Sequence, residues 1–257
     1  LIQEIRMQKM FHNVAQSFAR HALGCELVPQ WRMERLAQTA YLHKLLTSLQ
    51  VDCVFDVGAN QGQFREYLRT QVGYAGRIIS FEPNPNCASR LQEQAGSDPQ
   101  WTVRPVALGE QAGQLAFHLT RDSQFSSFLP PTQANAKMAG NVVERIIDVE
   151  LSTLDREYPE LQERFGFSRP FLKLDTQGYE LHILRGGAAV VPGFHAIQAE
   201  VSNVAIYDGV AGMHSTIEAF KACGFKLAHL FPTNPDHFPV AIDFDAYFIN
   251  NKYQPIM

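Results

Sequence analysis

From residue 51 onward the chain repeats one texture. Short runs rich in β-branched and aromatic residues alternate with stretches whose apolar residues recur at helical spacing. That order builds a mostly parallel sheet with helices on both faces, because each parallel return needs a crossover. The runs are Val51–Val57, Arg77–Phe81, Trp101–Ala107, Pro170–Asp175, Ala196–Val201, Phe225–Phe231 and Asp245–Asn250, so a seven-stranded Rossmann-like α/β sheet is expected. No helical pattern separates the last two runs, and the final strand should therefore return antiparallel and make the sheet mixed. Alternation in Gly113–Thr120 and again in Ile146–Leu151 predicts a β insertion between the third and fourth runs. It brackets a polar stretch, Thr132–Asn141, for which a mobile loop is expected.

Residues 1–50 lack β-like alternation. Ile2, Ile5, Met10, Val14 and Phe18, then Leu36, Ala40, Leu42, Leu45 and Leu46, recur at helical intervals, which predicts an N-terminal helical extension broken near Gly24 to Pro29. Residues 51–257 form the expected catalytic-type domain.

Composition narrows the partners. The 257 residues are 46% hydrophobic and 19% charged, which suits a packed core and excludes disorder. A formal charge of −4, with lysine and arginine spread along the chain, implies neither a nucleic-acid nor a membrane partner. No apolar run approaches the roughly 18 residues of a membrane helix, and the start LIQEIRMQKM has no signal-peptide core. Cys25, Cys53, Cys87 and Cys223 lie far apart in mostly apolar surroundings, as buried thiols do, so a cytoplasmic location is the default expectation.

The segment Val54-Phe55-Asp56-Val57-Gly58-Ala59-Asn60-Gln61-Gly62-Gln63-Phe64 reads as a buried strand, a glycine-bearing turn and a helix start. Gly58 and Gly62 should let a ligand approach the main chain. About twenty positions on, Ile78-Ile79-Ser80-Phe81-Glu82-Pro83 ends a second strand in an acid placed to accept both hydroxyls of a ribose. A dinucleotide site prefers GxGxxG facing a pyrophosphate. Here Ala59-Asn60 replaces the middle glycine, and the charge of Asp56 is expected to repel a pyrophosphate and attract a cation. S-adenosylmethionine, with an ammonium, a sulfonium and no phosphate, suits that turn better. An NAD-dependent oxidoreductase and a non-catalytic S-adenosylmethionine-binding module are the alternatives.

The blocks DVGANQGQF, ISFEPNP, VALGEQAG, VELSTLD and FLKLDTQGYELHILRGG, continued by AEVSNVAIYDG and DFDAYFI, resemble in this order the FkbM family of S-adenosylmethionine-dependent methyltransferases. The resemblance spans Val51 to Asn250 and implies a sheet of the class I methyltransferase type. It implies that Asp56, Gly58, Asn60 and Gly62 line the methionine end of the cofactor. Glu82, followed by Pro83, would hold the ribose, and Ala107 and Leu108 would flank adenine.

Ligands of such sheets sit outside the carboxyl ends of the strands. That places Asp175, Thr176, Gln177, Tyr179 and Glu180, then Glu200, Ser202 and Asn203, on the acceptor side. An acid ending an apolar strand is partly desolvated and suited to take up a proton, so Asp175 is the first candidate for a general base and His214 the second. Gln177, Tyr179, Glu180, Glu200 and Asn203 are candidates for binding the acceptor, expected to be a sugar or glycan hydroxyl or a secondary-metabolite alcohol. Asp175 and Glu200 are hard oxygen ligands that suit magnesium, but two acids do not make a metal site, and none is assigned. Phe125-Ser126-Ser127-Phe128 and the polar loop after Pro131 are expected to form a lid over the cofactor, with the serines hydrogen-bonding the ligand. The N-terminal extension would cover the acceptor pocket or form a homodimer interface.

Overall fold

The computed structural model describes residues 22, 33–133, 135, 142–234, 237 and 239–253. Most of the expected N-terminal helical segment, and most of the expected loop over 132–141, lie outside them. By contacts the chain divides into two units, Leu1–Thr39 and Ala40–Met257. Besides residue 22, the described part of the first is the start of helix α1 (Met33–Ser48), where the Thr39 hydroxyl donates to the Arg35 carbonyl at 2.6 Å.

The second unit follows the alternation of the sequence: β1 (Cys53–Val57), α2 (Gln63–Tyr67), β2 (Arg77–Phe81), α3 (Pro85–Ala95) and β3 (Trp101–Arg104). After the insertion come α4 (Leu154–Phe165), β7 (Pro170–Leu174), α5 (Glu180–Gly186), β8 (Ala196–Ser202), α6 (Met213–Ala222), β9 (Phe225–Pro232) and β10 (Asp243–Asn250). Among the described residues seven strands form one sheet in the order β3-β2-β1-β7-β8-β10-β9. All neighbours are parallel except β10, which runs antiparallel to both β8 and β9 as the short connection required.

The third expected strand is shorter than its apolar run. Pro105 has no N–H to give a ladder, and the chain leaves the main sheet before it. Ala107–Leu108 becomes β4 of a second sheet, order β4-β6-β5, with β5 (Gly113–Thr120) antiparallel to β6 (Val143–Ser152). The insertion is thus a three-stranded sheet.

Period-two alternation gives the main sheet two apolar faces. Cys53, Phe55 and Val57 point into one core with Leu172, Leu174, Ile197 and Ala199. Val54, Ile78 and Phe171 point into the other, beneath Leu42, Leu68 and Leu91. Near the carboxyl ends this second face turns polar. Ser80, Asp56, Lys173 and Gln198 are direct register partners across β2, β1, β7 and β8, and all four are buried.

Candidate active site

The carboxyl ends of β1, β2, β7 and β8 carry most of the residues singled out from the sequence. At the end of β1 the chain turns through Gly58 at φ 79° and Asn60 at φ 47°, both left-handed. The N–H groups of Gly58 and Ala59 donate to the Phe81 carbonyl at 3.1 and 3.2 Å, clamping the turn to β2. The two glycines serve the protein's own packing rather than leaving the space expected for a ligand. A Cβ on Gly58 would overlap the carbonyl oxygen of Asp175, and one on Gly62 would meet Leu91 Cδ2 at 3.0 Å.

Glu82 is buried at the end of β2, and its two oxygens are held separately. Oε2 accepts from the Asn60 N–H at 2.6 Å and Oε1 from the Asn84 N–H at 2.8 Å. Burial pushes its pKa up to about 7 against these two hydrogen bonds. Pro83 lies between Glu82 and Asn84, whose side chain caps α3. The Asn60 side chain contributes Oδ1, 3.5 Å from Cys87 Sγ, and Nδ2, which is buried and has no partner among the described residues. Ala107 and Leu108 are buried in β4.

Asp56 does not present the free charge expected of it. It is completely buried, accepts from Ser80 Oγ at 3.1 Å, and lies 3.1 Å from Lys173 Nζ. Trp101 Nε1 in turn donates to Ser80 Oγ at 3.0 Å. The charge of Asp56 is therefore balanced inside the sheet, and the expected repulsion of a pyrophosphate by it falls away. Lys173 Nζ also lies 3.4 Å from Asp175 Oδ2 and from the Gly58 carbonyl, and 5.2 Å from the centre of the Phe64 ring. Burial works against its charge, but Asp56 and Asp175 outweigh burial and raise its pKa. A lysine in the all-buried strand Pro170–Leu174 is itself a sequence signal, because an ammonium there must find an anion on the same face. Lys173 is not among the residues singled out from the sequence.

At the end of β7 the Asp175 side chain is 43% exposed, more open than expected for a desolvated strand end. Gln177, at φ 56°, folds back so that Nε2 donates to Asp175 Oδ1 at 3.1 Å and to Glu200 Oε2 at 3.0 Å. Glu200, two residues before the end of β8, lies on the other side of this amide from Asp175. Burial first, then Asp175 and Asp243, raise its pKa well above the carboxylate range. Asp243 is pushed up to about 6 by burial.

Other acceptor-side candidates are engaged within the chain. Glu180 Oε1 accepts from Thr176 N, Thr176 Oγ1 and Gly178 N at 2.8, 3.0 and 3.3 Å, which shapes the loop before α5. Tyr179 is buried between Phe128 and His182, with ring centroids 4.8 and 4.2 Å away. Asn203 Nδ2 donates to the Ala241 carbonyl at 2.8 Å. His214 is exposed in the first turn of α6, two residues past Gly212, which bridges to Ser202 at the end of β8.

The segment after β5 does cross the carboxyl ends, but its serines bind the chain. Ser127 Oγ donates to the Gln177 carbonyl at 2.8 Å, and Ser126 Oγ accepts from the Thr120 N–H at 3.2 Å. Ser123, not singled out from the sequence, accepts from Gln61 Nε2 at 3.2 Å over the glycine turn. A cavity of about 400 Å³ lined by His43, Thr47, Tyr74 and Arg169 opens at the amino ends of the strands, the opposite edge from this chemistry. Among the described residues no three His, Cys, Asp or Glu side chains are grouped as a metal ion requires, and no helix is long and apolar enough to cross a membrane.

A seven-stranded sheet with one reversed strand, a glycine turn after β1 and an acid ending β2 define a class I methyltransferase. The profile of the family described as "Methyltransferase FkbM domain" matches residues 56–227, and the chain belongs to that family of S-adenosylmethionine-dependent methyltransferases. Membership sets aside the oxidoreductase alternative. The chain is 24% identical over 187 residues to 2-O-methyltransferase NoeI of Sinorhizobium fredii, covering 70% of this chain and 74% of that protein. It is 27% identical over 175 residues to hexuronic acid methyltransferase AglP of Haloferax volcanii, covering 66% of this chain and 65% of that one. The crystal structure of an FkbM methyltransferase from Methylobacillus flagellatus aligns with a TM-score of 0.47 at 14% identity, over 77% of this chain and 43% of that chain.

Proposed function

We propose that the protein transfers a methyl group from S-adenosylmethionine to a hydroxyl oxygen of a sugar or glycan. Membership of a methyltransferase family supports the transfer, and the sugar acceptor is supported by the names of its relatives, a 2-O-methyltransferase and a hexuronic acid methyltransferase. In this reading residues 51–257 form the transferase domain and residues 1–50 an extension.

The residues present fit the cofactor. Each Glu82 oxygen accepts one N–H and keeps a lone pair for a ribose hydroxyl, while the unpartnered Asn60 Nδ2 offers a donor at the same turn. Glu82 and Asn60 would hold the nucleoside, with the Gly58 to Gly62 turn beneath it. When bound, S-adenosylmethionine supplies an electrophilic methyl group on a positively charged sulfur. The chain's own work is to align an acceptor hydroxyl and to remove its proton as the new bond forms. Alignment in such a displacement supplies much of the rate, and a base contributes roughly 10²–10⁴-fold.

Asp175 is the proposed base. The observation that carries this assignment is its place: it follows the last residue of β7, it is open enough to meet a ligand, and its carboxylate is held at one oxygen by Gln177 and at the other by Lys173. Glu200 lies on the far side of Gln177 and is proposed to bind the acceptor. The exposed His214 stays a second candidate on position alone.

The test is methyl transfer from labelled donor to a panel of neutral methyl glycosides, methyl uronides and simple alcohols. Transfer to a glycoside that falls at least a hundredfold in Asp175→Asn, with S-adenosylhomocysteine affinity retained, supports the assignment. Undiminished turnover in that variant removes Asp175 as the base, and transfer to alcohols alone removes the sugar acceptor.

A further inference from the structure

The side chain of Gln177 is fully committed. Its Nε2 carries two protons, and the two nearest acceptors are Asp175 Oδ1 at 3.1 Å and Glu200 Oε2 at 3.0 Å. Its Oε1 accepts from the Tyr207 hydroxyl at 2.8 Å. Turned over, the amide would set Oε1 against the Asp175 carboxylate, so that acid and the phenol together dictate its orientation. Tyr207 is itself fixed. It is 2% exposed, and its hydroxyl is also 3.0 Å from the Phe125 carbonyl of the segment crossing the strand ends. That segment grips the same glutamine again, through Ser127 Oγ on the Gln177 carbonyl. A residue in the left-handed region, at φ 56°, is thus tied at its main chain and at both ends of its side chain. Such over-determination is what holds a strained residue in place.

We infer that Tyr207 and Gln177 are positioning residues for methyl transfer, with the phenol fixing the amide so that it holds Asp175 in its reactive orientation rather than binding the acceptor. This rests on the reading of Asp175 as the base. The Asp175 side chain is 43% exposed and has Lys173 Nζ 3.4 Å from Oδ2, a contact that by itself leaves an aspartate at a strand end several rotamers. An amide donor fixed from behind selects one of them, at the cost of an ordering made once on folding rather than in each turnover.

The test is a double-mutant cycle of Tyr207→Phe and Asp175→Asn, with crystal structures of wild type and Tyr207→Phe bound to S-adenosylhomocysteine and turnover measured on the methyl glycoside panel. Tyr207→Phe keeps the ring and its packing. The expected result is a kcat lowered about tenfold or more, with KM for the donor and S-adenosylhomocysteine affinity unchanged. In the double variant the loss is expected to equal that of Asp175→Asn alone, because a residue acting through Asp175 has nothing left to orient. Losses that multiply overturn the inference, as a merely structural role would produce them. In the crystals, an Asp175 carboxylate displaced from its 3.1 Å contact in Tyr207→Phe supports it. Superposable Gln177 and Asp175 side chains in the two proteins overturn it whatever the activity shows. Undiminished turnover in Asp175→Asn instead overturns the base assignment, and the crystals still decide the role of Tyr207.

Discussion

Lys173 Nζ stands 3.1 Å from Asp56 Oδ1 within the sheet, with 6% and 0% of the two side chains exposed. The pair joins β7 to β1 directly at their register position, and the same ammonium reaches Asp175 and the Gly58 carbonyl. One buried cation therefore touches both the turn proposed for the cofactor and the acid proposed for the acceptor.

Removing one partner of such a pair leaves an uncompensated buried charge. Lys173→Met is expected to lower stability by about 3–5 kcal/mol. The double variant Asp56→Asn, Lys173→Met, which buries no net charge, should lose less than the single one. Denaturant unfolding of wild type and the two variants measures both quantities, and a double variant as unstable as Lys173→Met would show that charge is not what the pair balances.

Two glycines with similar φ should respond differently to the same substitution. Gly58→Ala sets a methyl against the backbone oxygen of Asp175, which cannot retreat without moving β7, and is expected to abolish folding or to destabilise by more than about 3 kcal/mol. Gly62→Ala meets the end of a leucine side chain and should lose about 1–2 kcal/mol, mostly from its φ of 86°. Thermal unfolding midpoints order the two.

Cofactor binding should depend on pH through Glu82. Its pKa is raised to about 7 by burial, and ribose hydroxyls donate to the ionised form. S-adenosylhomocysteine affinity is then expected to weaken as pH falls below about 7, approaching tenfold per unit well below it, with proton release on binding near pH 6. Titration calorimetry in buffers of different ionisation enthalpy reads the proton directly. An affinity flat from pH 8 to 5.5 would separate Glu82 from the ligand.

Glu180 makes a prediction about the free protein. Burial raises its pKa from 4.5 to about 7, so between those values the folded state binds more protons than the unfolded one, and this contribution to stability falls as pH rises. Glu180→Gln keeps the oxygen that accepts from Thr176 and Gly178 and removes the titration. Unfolding free energies at pH 5 and pH 7 should differ less in the variant than in wild type, and an unchanged difference would assign the slope to other groups.

Much of this architecture is legible along the chain because its signals are local. β-branched runs separated by helical periods dictate a parallel sheet, the missing helix before Asp243 reverses the last strand, and DVGANQGQF places a glycine turn after the first strand. The same local pattern overextended the third strand through Pro105, since apolar character continues there although the backbone donor does not.

The sequence by itself determined the succession of strands and helices, the reversal of the last strand and the family of the chain, because periodicity and motif spacing act between near neighbours. Only the tertiary structure decided what each charge meets. Asp56 and Lys173 are 117 positions apart and become adjacent through the β1–β7 pairing. Gln177 reaches Glu200 and Tyr207 only once β8 lies beside β7. Electrostatic roles depend on distances and desolvation across strands, and a linear pattern carries neither.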